Sequence, residues 1–264
     1  MQFRSFLAFV GFPRHLTNFC ATQLRPSQPS HGSRIACMSA KAIKVFGIKL
    51  ADPPSAWESA GFHVQPNNVI AFENSCAVTL TTHQTSTFTP QITINAHINA
   101  SCFRYQDEDD SLPEYTQQHQ HPNSVTRIDH VVVTTNSHID DALAILAEAN
   151  LQHRKLLRRN GYVLALFKLS NAILELVASE TSPTTQIGLP ELRLWGVTFA
   201  CDRIGRVREV VSPDYISPTR RAVQRNHEIA TLRHKKFRLG IQVAVLARQA
   251  NDDDDDDRSR QSRL

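Results

Sequence analysis

The feature that most constrains this chain is one order of elements, written out in full from Ile128 and then repeated in weaker form. Ile128 to Thr135 is short, rich in β-branched residues, and reads as a strand. A helix is predicted from about Ile139 to Ala149, with Ser137 as N-cap, Asp140 and Asp141 in the first turn, and Asn150 as its stop. Its apolar positions, Ile139, Ala142, Leu143, Leu146 and Ala149, lie on one side. Three strands follow at Gln152 to Leu157, Tyr162 to Leu169 and Ala172 to Ala178, turned by Gly161 and by Ser170-Asn171.

After a linker from Pro183 to Pro190 the order recurs. Leu192 to Cys201 reads as a strand, Asp202 to Val211 as a helix, and Glu228 to Arg233 and Leu239 to Ala247 as strands. A shorter version comes first: a strand at Ile43 to Leu50, a brief helix capped by Asp52, opened by Pro53 and stopped at Gly61, then strands at Val69 to Phe72, Ala77 to Thr81 and Ile92 to Ile98. No single module of this kind buries both faces of its sheet, so the expected fold is α+β, built from packed β-α-β-β-β modules.

Composition sets the boundaries. Arg4, Arg14, Arg25 and Arg34 precede Met38, no acidic residue occurs before Asp52, and Ser27, Ser30 and Ser33 lie between. That is the make-up of an organellar transit peptide over residues 1–37, with the plastid as the expected destination and the mitochondrion as the alternative. Without those four arginines the net charge of +4 disappears, leaving 25 basic and 25 acidic residues. A near-neutral chain without a basic, aromatic-rich patch gives no support to nucleic-acid binding, and no apolar run reaches membrane-spanning length. The remaining reading is a truncated module at 42–100, a polar linker at 101–124 in which His119 and His121 are unstructured, paired modules at 126–179 and 190–247, and an acidic tail at 249–264. Monomer and homodimer are both open. Cys76, Cys102 and Cys201, widely spaced and odd in number, are expected to be indifferent buried thiols.

Several stretches together carry a family likeness: H-P-N-S-V-T-R-I-D-H-V-V-V (His121 to Val133), A-I-L-E-L-V (Ala172 to Val177), L-W-G-V-T-F (Leu194 to Phe199), and A-V-Q with I-A-T-L-R (Ala222 to Gln224, Ile229 to Arg233). With A-D-P-P-S-A-W-E-S-A-G-F (Ala51 to Phe62), they resemble glyoxalase-like proteins of the vicinal-oxygen-chelate superfamily. The resemblance implies paired modules around a cavity that in catalytic members holds a divalent metal.

It also implies His130 and Glu175 as metal ligands from the first module, with Glu175 in a catalytic role and Zn, Fe, Mn or Ni as the ion. Imidazole and carboxylate suit such ions. Alternating strand faces place His130 with Ile128 and Val132, and Glu175 with Ile173 and Val177, where a carboxylate needs a partner. In the second module Gly196 and Val243 occupy the corresponding places and cannot ligate. His97, His227 and His234 are open candidates for a third ligand. Two functions stay in view: metal-assisted lyase, isomerase or dioxygenase chemistry on a small oxygenated metabolite, or metal-free small-molecule binding. Trp57 and Trp195 are read as core aromatics, and Arg220, Arg221, Arg225 and Arg233 as a solvated face.

Overall fold

The computed structural model describes residues 42–81, 88–107, 120–183 and 190–249. The expected presequence, nearly all of the acidic tail, and most of the two linkers lie outside the described residues.

The N-terminal part runs β1 (Val45–Leu50), α1 (Pro54–Ser59), β2 (Val69–Ala71), β3 (Ala77–Leu80), β4 (Gln91–Ile94) and β5 (Phe103–Tyr105). The first full module is β6 (Val125–Thr135), α2 (Ile139–Glu148), β7 (Lys155–Arg159), β8 (Tyr162–Lys168) and β9 (Ile173–Ser179). The second is β10 (Leu192–Cys201), α3 (Ile204–Val210), β11 (Arg220–Arg221), β12 (His227–Leu232), α4 (His234–Phe237) and β13 (Gln242–Arg248). The expected α+β fold is therefore present.

Eight strands form one sheet in the order β11-β12-β13-β10-β6-β9-β8-β7. Within each module the first strand pairs in parallel with the last, β6 with β9 and β10 with β13, because a helix lies between them in the chain and returns it to the same end. The modules join edge to edge through antiparallel β6 and β10. This is the paired βαβββ architecture of the glyoxalase-like fold. The N-terminal five-stranded sheet, β2-β3-β1-β4-β5, repeats the plan with fewer strands: antiparallel β1 and β4 at its centre, each with a parallel neighbour.

One face of the large sheet, carrying Val131, Val133, Leu174, Leu176, Val197 and Phe199, shares a continuous core with Ile145 and Leu146 of α2, Ile204 and Val207 of α3, and Trp57, Ile48 and Ile92 of the N-terminal part. Polar ties reinforce the junction. Asn171 pairs with the backbone of Val45 as a strand would, accepting from its N–H at 3.1 Å and donating to its carbonyl at 2.8 Å. Asp52 does not cap α1. It is buried and accepts from Trp57 Nε1 at 3.1 Å and from the Gly240 N–H at 2.9 Å, tying the N-terminal part to the second module.

Other local departures have physical causes. His138, not Ser137, caps α2, accepting from the Asp140 N–H through Nδ1, while Ser137 is held one residue earlier by Thr135. The stretch expected to be linker contains β5 and a buried anchor. His121 accepts from the His63 N–H at 3.0 Å, has its other ring nitrogen 3.1 Å from the Ala71 carbonyl, and packs on Phe62 and Phe72. Polar composition concealed a histidine whose two nitrogens are both satisfied inside the fold. Cys76, Cys102 and Cys201 are free and buried, and burial pushes each thiol up to about 12, which fits inert thiols.

Candidate functional site

The opposite face of the large sheet carries the site. Val132, Leu164 and Val177 form a small apolar cluster there, with Leu157, Tyr162 and Trp195 packed against it. Trp57 is a core aromatic as expected, but Trp195 belongs to this second face and not to the main core.

Strand registers arrange the face in rows. One row runs Thr198, His130, Ile173, Lys168, and the next Gly196, Val132, Glu175, Leu166, Lys155. His130 and Glu175 thus stand on neighbouring strands, one row apart. The structure brings together the two residues singled out from sequence.

It corrects how His130 gets there. Opposite β10, Thr198 pairs with His130 while Phe199 pairs with Ile128, so Asp129 is an extra residue in β6. Such a bulge breaks simple alternation. Ile128 and Val131 face the main core, so His130 does not share a face with Ile128, and Asp129 and His130 turn to the same side. The signal was present: strict alternation would have placed the Asp129 carboxylate among core residues, a costly position.

Asp129 was missed, and so was its partner Gln224. His130 Nδ1 lies 2.7 Å from Asp129 Oδ2, so the carboxylate holds the ring. Gln224 Nε2 donates to Asp129 at 3.2 Å and Arg127 lies 3.3 Å away. Burial acts to raise the Asp129 carboxyl, but contact with His130 and its charge, the Gln224 hydrogen bond and Arg127 outweigh it and hold it below its ordinary value. Glu175 behaves in the opposite way. Burial pushes its carboxyl above the ordinary value, only partly offset by the charge of His130. Gln224, which comes from the other module, closes the A-V-Q stretch (Ala222 to Gln224) of the family likeness, but its pairing with Asp129 was not legible there.

The second module offers no counterpart. The pair His130 with Thr198 and the pair Val132 with Gly196 exchange under the two-fold relation between modules, which makes Gly196 the equivalent of His130 and Thr198 that of Val132. Glu175 pairs with Val132, so its equivalent is the residue paired with Thr198, which is Ala244. The expectation of Val243 was one residue off, because Val243 faces the main core. A Cβ on Gly196 would stand 2.8 Å from the Gln242 carbonyl oxygen, so the close β10–β13 approach excludes a side chain there.

The open candidates do not complete a metal set. His97 stacks on Tyr105 at 3.7 Å in the N-terminal sheet, His227 is bound to the Arg225 carbonyl, and His234 to Gln242. Among the described residues no group of three or more His, Cys, Asp or Glu side chains is placed to hold a metal ion. His130 and Glu175 are two donors, where catalytic zinc sites draw three from protein. Among the described residues no helix is long and apolar enough to cross a membrane.

A cleft of about 410 Å³ lies at the β8–β9 turn, lined by Asp129, Arg154, Lys155, Leu166, Lys168 and Ile173 among others; Asp129 lines it, while His130 and Glu175 do not. A second cleft of about 440 Å³, between α1 and α4, contains none of the site residues.

No family model matches the chain, and no curated protein does. Solved structures similar to it include methylmalonyl-CoA epimerase from Mycobacterium tuberculosis, 16% identical with a TM-score of 0.37, covering 48% of this chain and 91% of that one. Streptomyces coelicolor methylmalonyl-CoA epimerase in complex with 2-nitronate-propionyl-CoA has the same identity and TM-score, covering 48% of this chain and 100% of that one. A hypothetical protein from Bacillus halodurans is 12% identical with a TM-score of 0.36, covering 47% of this chain and 96% of that one. At these values the likenesses assign no activity.

Proposed function

We propose that this chain binds one small oxygenated molecule on the face of the large sheet that carries His130 and Glu175, through hydrogen bonds from that pair and without a resident metal ion. The observation that carries the reading is the one-sidedness of the donor set, with His130 and Glu175 in one module facing Gly196 and Ala244 in the other. An apolar floor of Val132, Leu164, Val177 and Trp195 with a few polar groups at its edge is the usual make-up of a small-molecule site. Burial raises the Glu175 carboxyl, and His130 is held through Nδ1 by Asp129.

The reading is tested by a thermal-shift screen of the full chain against small hydroxy, keto and enol metabolites. A hit whose shift falls by at least half in both His130→Ala and Glu175→Gln supports it. Hits indifferent to both substitutions overturn it.

A second reading, metal-assisted lyase, isomerase or dioxygenase chemistry, is favoured by one observation: an imidazole and a carboxylate, His130 and Glu175, stand on neighbouring strands one row apart. A divalent ion there would polarise a substrate oxygen, but it would need ligands beyond this pair.

A further inference from the structure

The cleft that Asp129 lines, at the β8–β9 turn, contains an excess of positive charge. Arg154, Lys155 and Lys168 line it against a single carboxylate, Asp129, whose charge is already engaged by His130, Gln224 and Arg127. None of the three cations forms an ion pair with a described residue, whereas Arg158, Arg193 and Arg206 each do.

Their placement follows from the sheet. Lys168 is directly opposite Ile173, which pairs with His130, and Lys155 is directly opposite Leu166, which pairs with Glu175. Each lysine stands two strands from one of the polar pair, roughly 10 Å at the usual strand spacing, with an apolar residue between. Lysine stems lie along apolar surface and extend their ammonium groups beyond it. The result is a short track: cations at one end, Leu166 and Ile173 in the middle, His130 and Glu175 at the other.

We infer that the cleft takes a compact anion, a carboxylate- or phosphate-bearing small molecule. Its charged end lies between Arg154, Lys155 and Lys168 and its carbon skeleton over Leu166 and Ile173, so that its far end is directed along the rows toward His130 and Glu175, which lie beyond the cleft's own lining. This rests on the reading of that face as a small-molecule site and names the class of ligand it selects. Arg154 offers the planar, two-pronged donor that suits either oxyanion, and the lysines act as point charges.

The test is calorimetric titration of the full chain at low and high salt with glutarate, glycerol 3-phosphate and uncharged glutaramide. One of the two anions is expected to bind at least tenfold more tightly than glutaramide, and which one distinguishes carboxylate from phosphate. The double variant Lys155→Gln, Lys168→Gln, checked for an unchanged melting temperature, is expected to weaken that anion about tenfold and to flatten its salt dependence. Arg193→Gln, an exposed charge elsewhere on the sheet, should leave binding unchanged. The inference is overturned if Arg193→Gln weakens the anion as much as the double variant does, since the effect would then be bulk charge. It is also overturned, with the site itself intact, if glutaramide matches the anions and remains sensitive to Glu175→Gln. Should no probe bind and no metabolite respond to His130→Ala, both this inference and the underlying site fail together.

Discussion

The two modules of the large sheet have the same strand order and the same parallel pairing of first and last strand, yet they differ in the side chains at equivalent places on the face away from the main core. In the first, His130 and Glu175 occupy places that in the second are held by Gly196 and Ala244. Backbone hydrogen bonding and core packing need only the order of elements and the apolar residues facing the core, and both modules keep these. The side chains on the other face are free to differ. Both strands of the seam carry a bulge, with Asp129 the extra residue in β6 and Trp195 in β10, so what differs is the side chains: the second module brings β10 and β13 so close at Gly196 that a Cβ there would meet the Gln242 backbone at 2.8 Å.

The strongest way to break this comparison is to give the second module what the first has. Ala244 is fully buried, so Ala244→Glu places an unpaired carboxylate in the interior and is expected to cost about 3–5 kcal/mol. That corresponds to a fall of roughly 10 °C in melting temperature, measurable by calorimetry. Survival of Ala244→Glu with unchanged stability would show that this face is open to water in the second module.

Gly196→Ala is expected to cost about 1–3 kcal/mol, because the added methyl meets the Gln242 backbone at 2.8 Å. Gly205→Ala in α3, where nothing lies within 4 Å, serves as the control and should be neutral or slightly stabilising.

On the first module's side the test is pH. The Glu175 carboxyl is raised in the folded state, so ionising it opposes folding above that raised value, and the penalty disappears as pH falls through it. Glu175→Gln is therefore expected to match or exceed the parent chain's stability at pH 8, by up to about 1 kcal/mol, and to lose that advantage in acid. Asp129 has the opposite sign. Its lowered carboxyl contributes stability that is present above 3.8 and is lost as pH falls through the folded value, so Asp129→Asn should be less stable at neutral pH and converge with the parent in acid. Denaturant titrations at several pH values separate the two.

Smallest of all in its effect on folding is the proposal that residues 1–37 are an import presequence. Deleting them should leave melting temperature and binding unchanged, while a reporter fused to residues 1–50 should reach an organelle. Cytosolic fluorescence of the fusion would contradict it.

Much of the fold was legible because strand alternation, helix periodicity and turn residues are local signals. β10 begins and ends at the predicted residues, and the turn at Asn160-Gly161, both with positive φ, joins β7 to β8 as an Asn-Gly hairpin does. His130 and Glu175 were legible as polar residues in apolar strands. What escaped was set by contacts distant in sequence: the bulge at Asp129 that re-aims His130, the reach of Gln224 across the module boundary, and His121 inserted between Phe62 and Phe72. The one-residue shift from Val243 to Ala244 has the same origin, since only the register of β10 against both neighbours decides it.

The central claim, a ligand site furnished by one module and needing no metal, is tested most directly by metal content. The full chain is produced without chelators in medium supplied with Mn²⁺, Fe²⁺, Ni²⁺ and Zn²⁺, and examined by native mass spectrometry and elemental analysis, alongside Glu175→Gln. The account predicts no stoichiometric metal in either protein and no change in melting temperature on adding a chelator. One ion per chain, lost in Glu175→Gln and accompanied by a chelator-sensitive melting temperature, would contradict it.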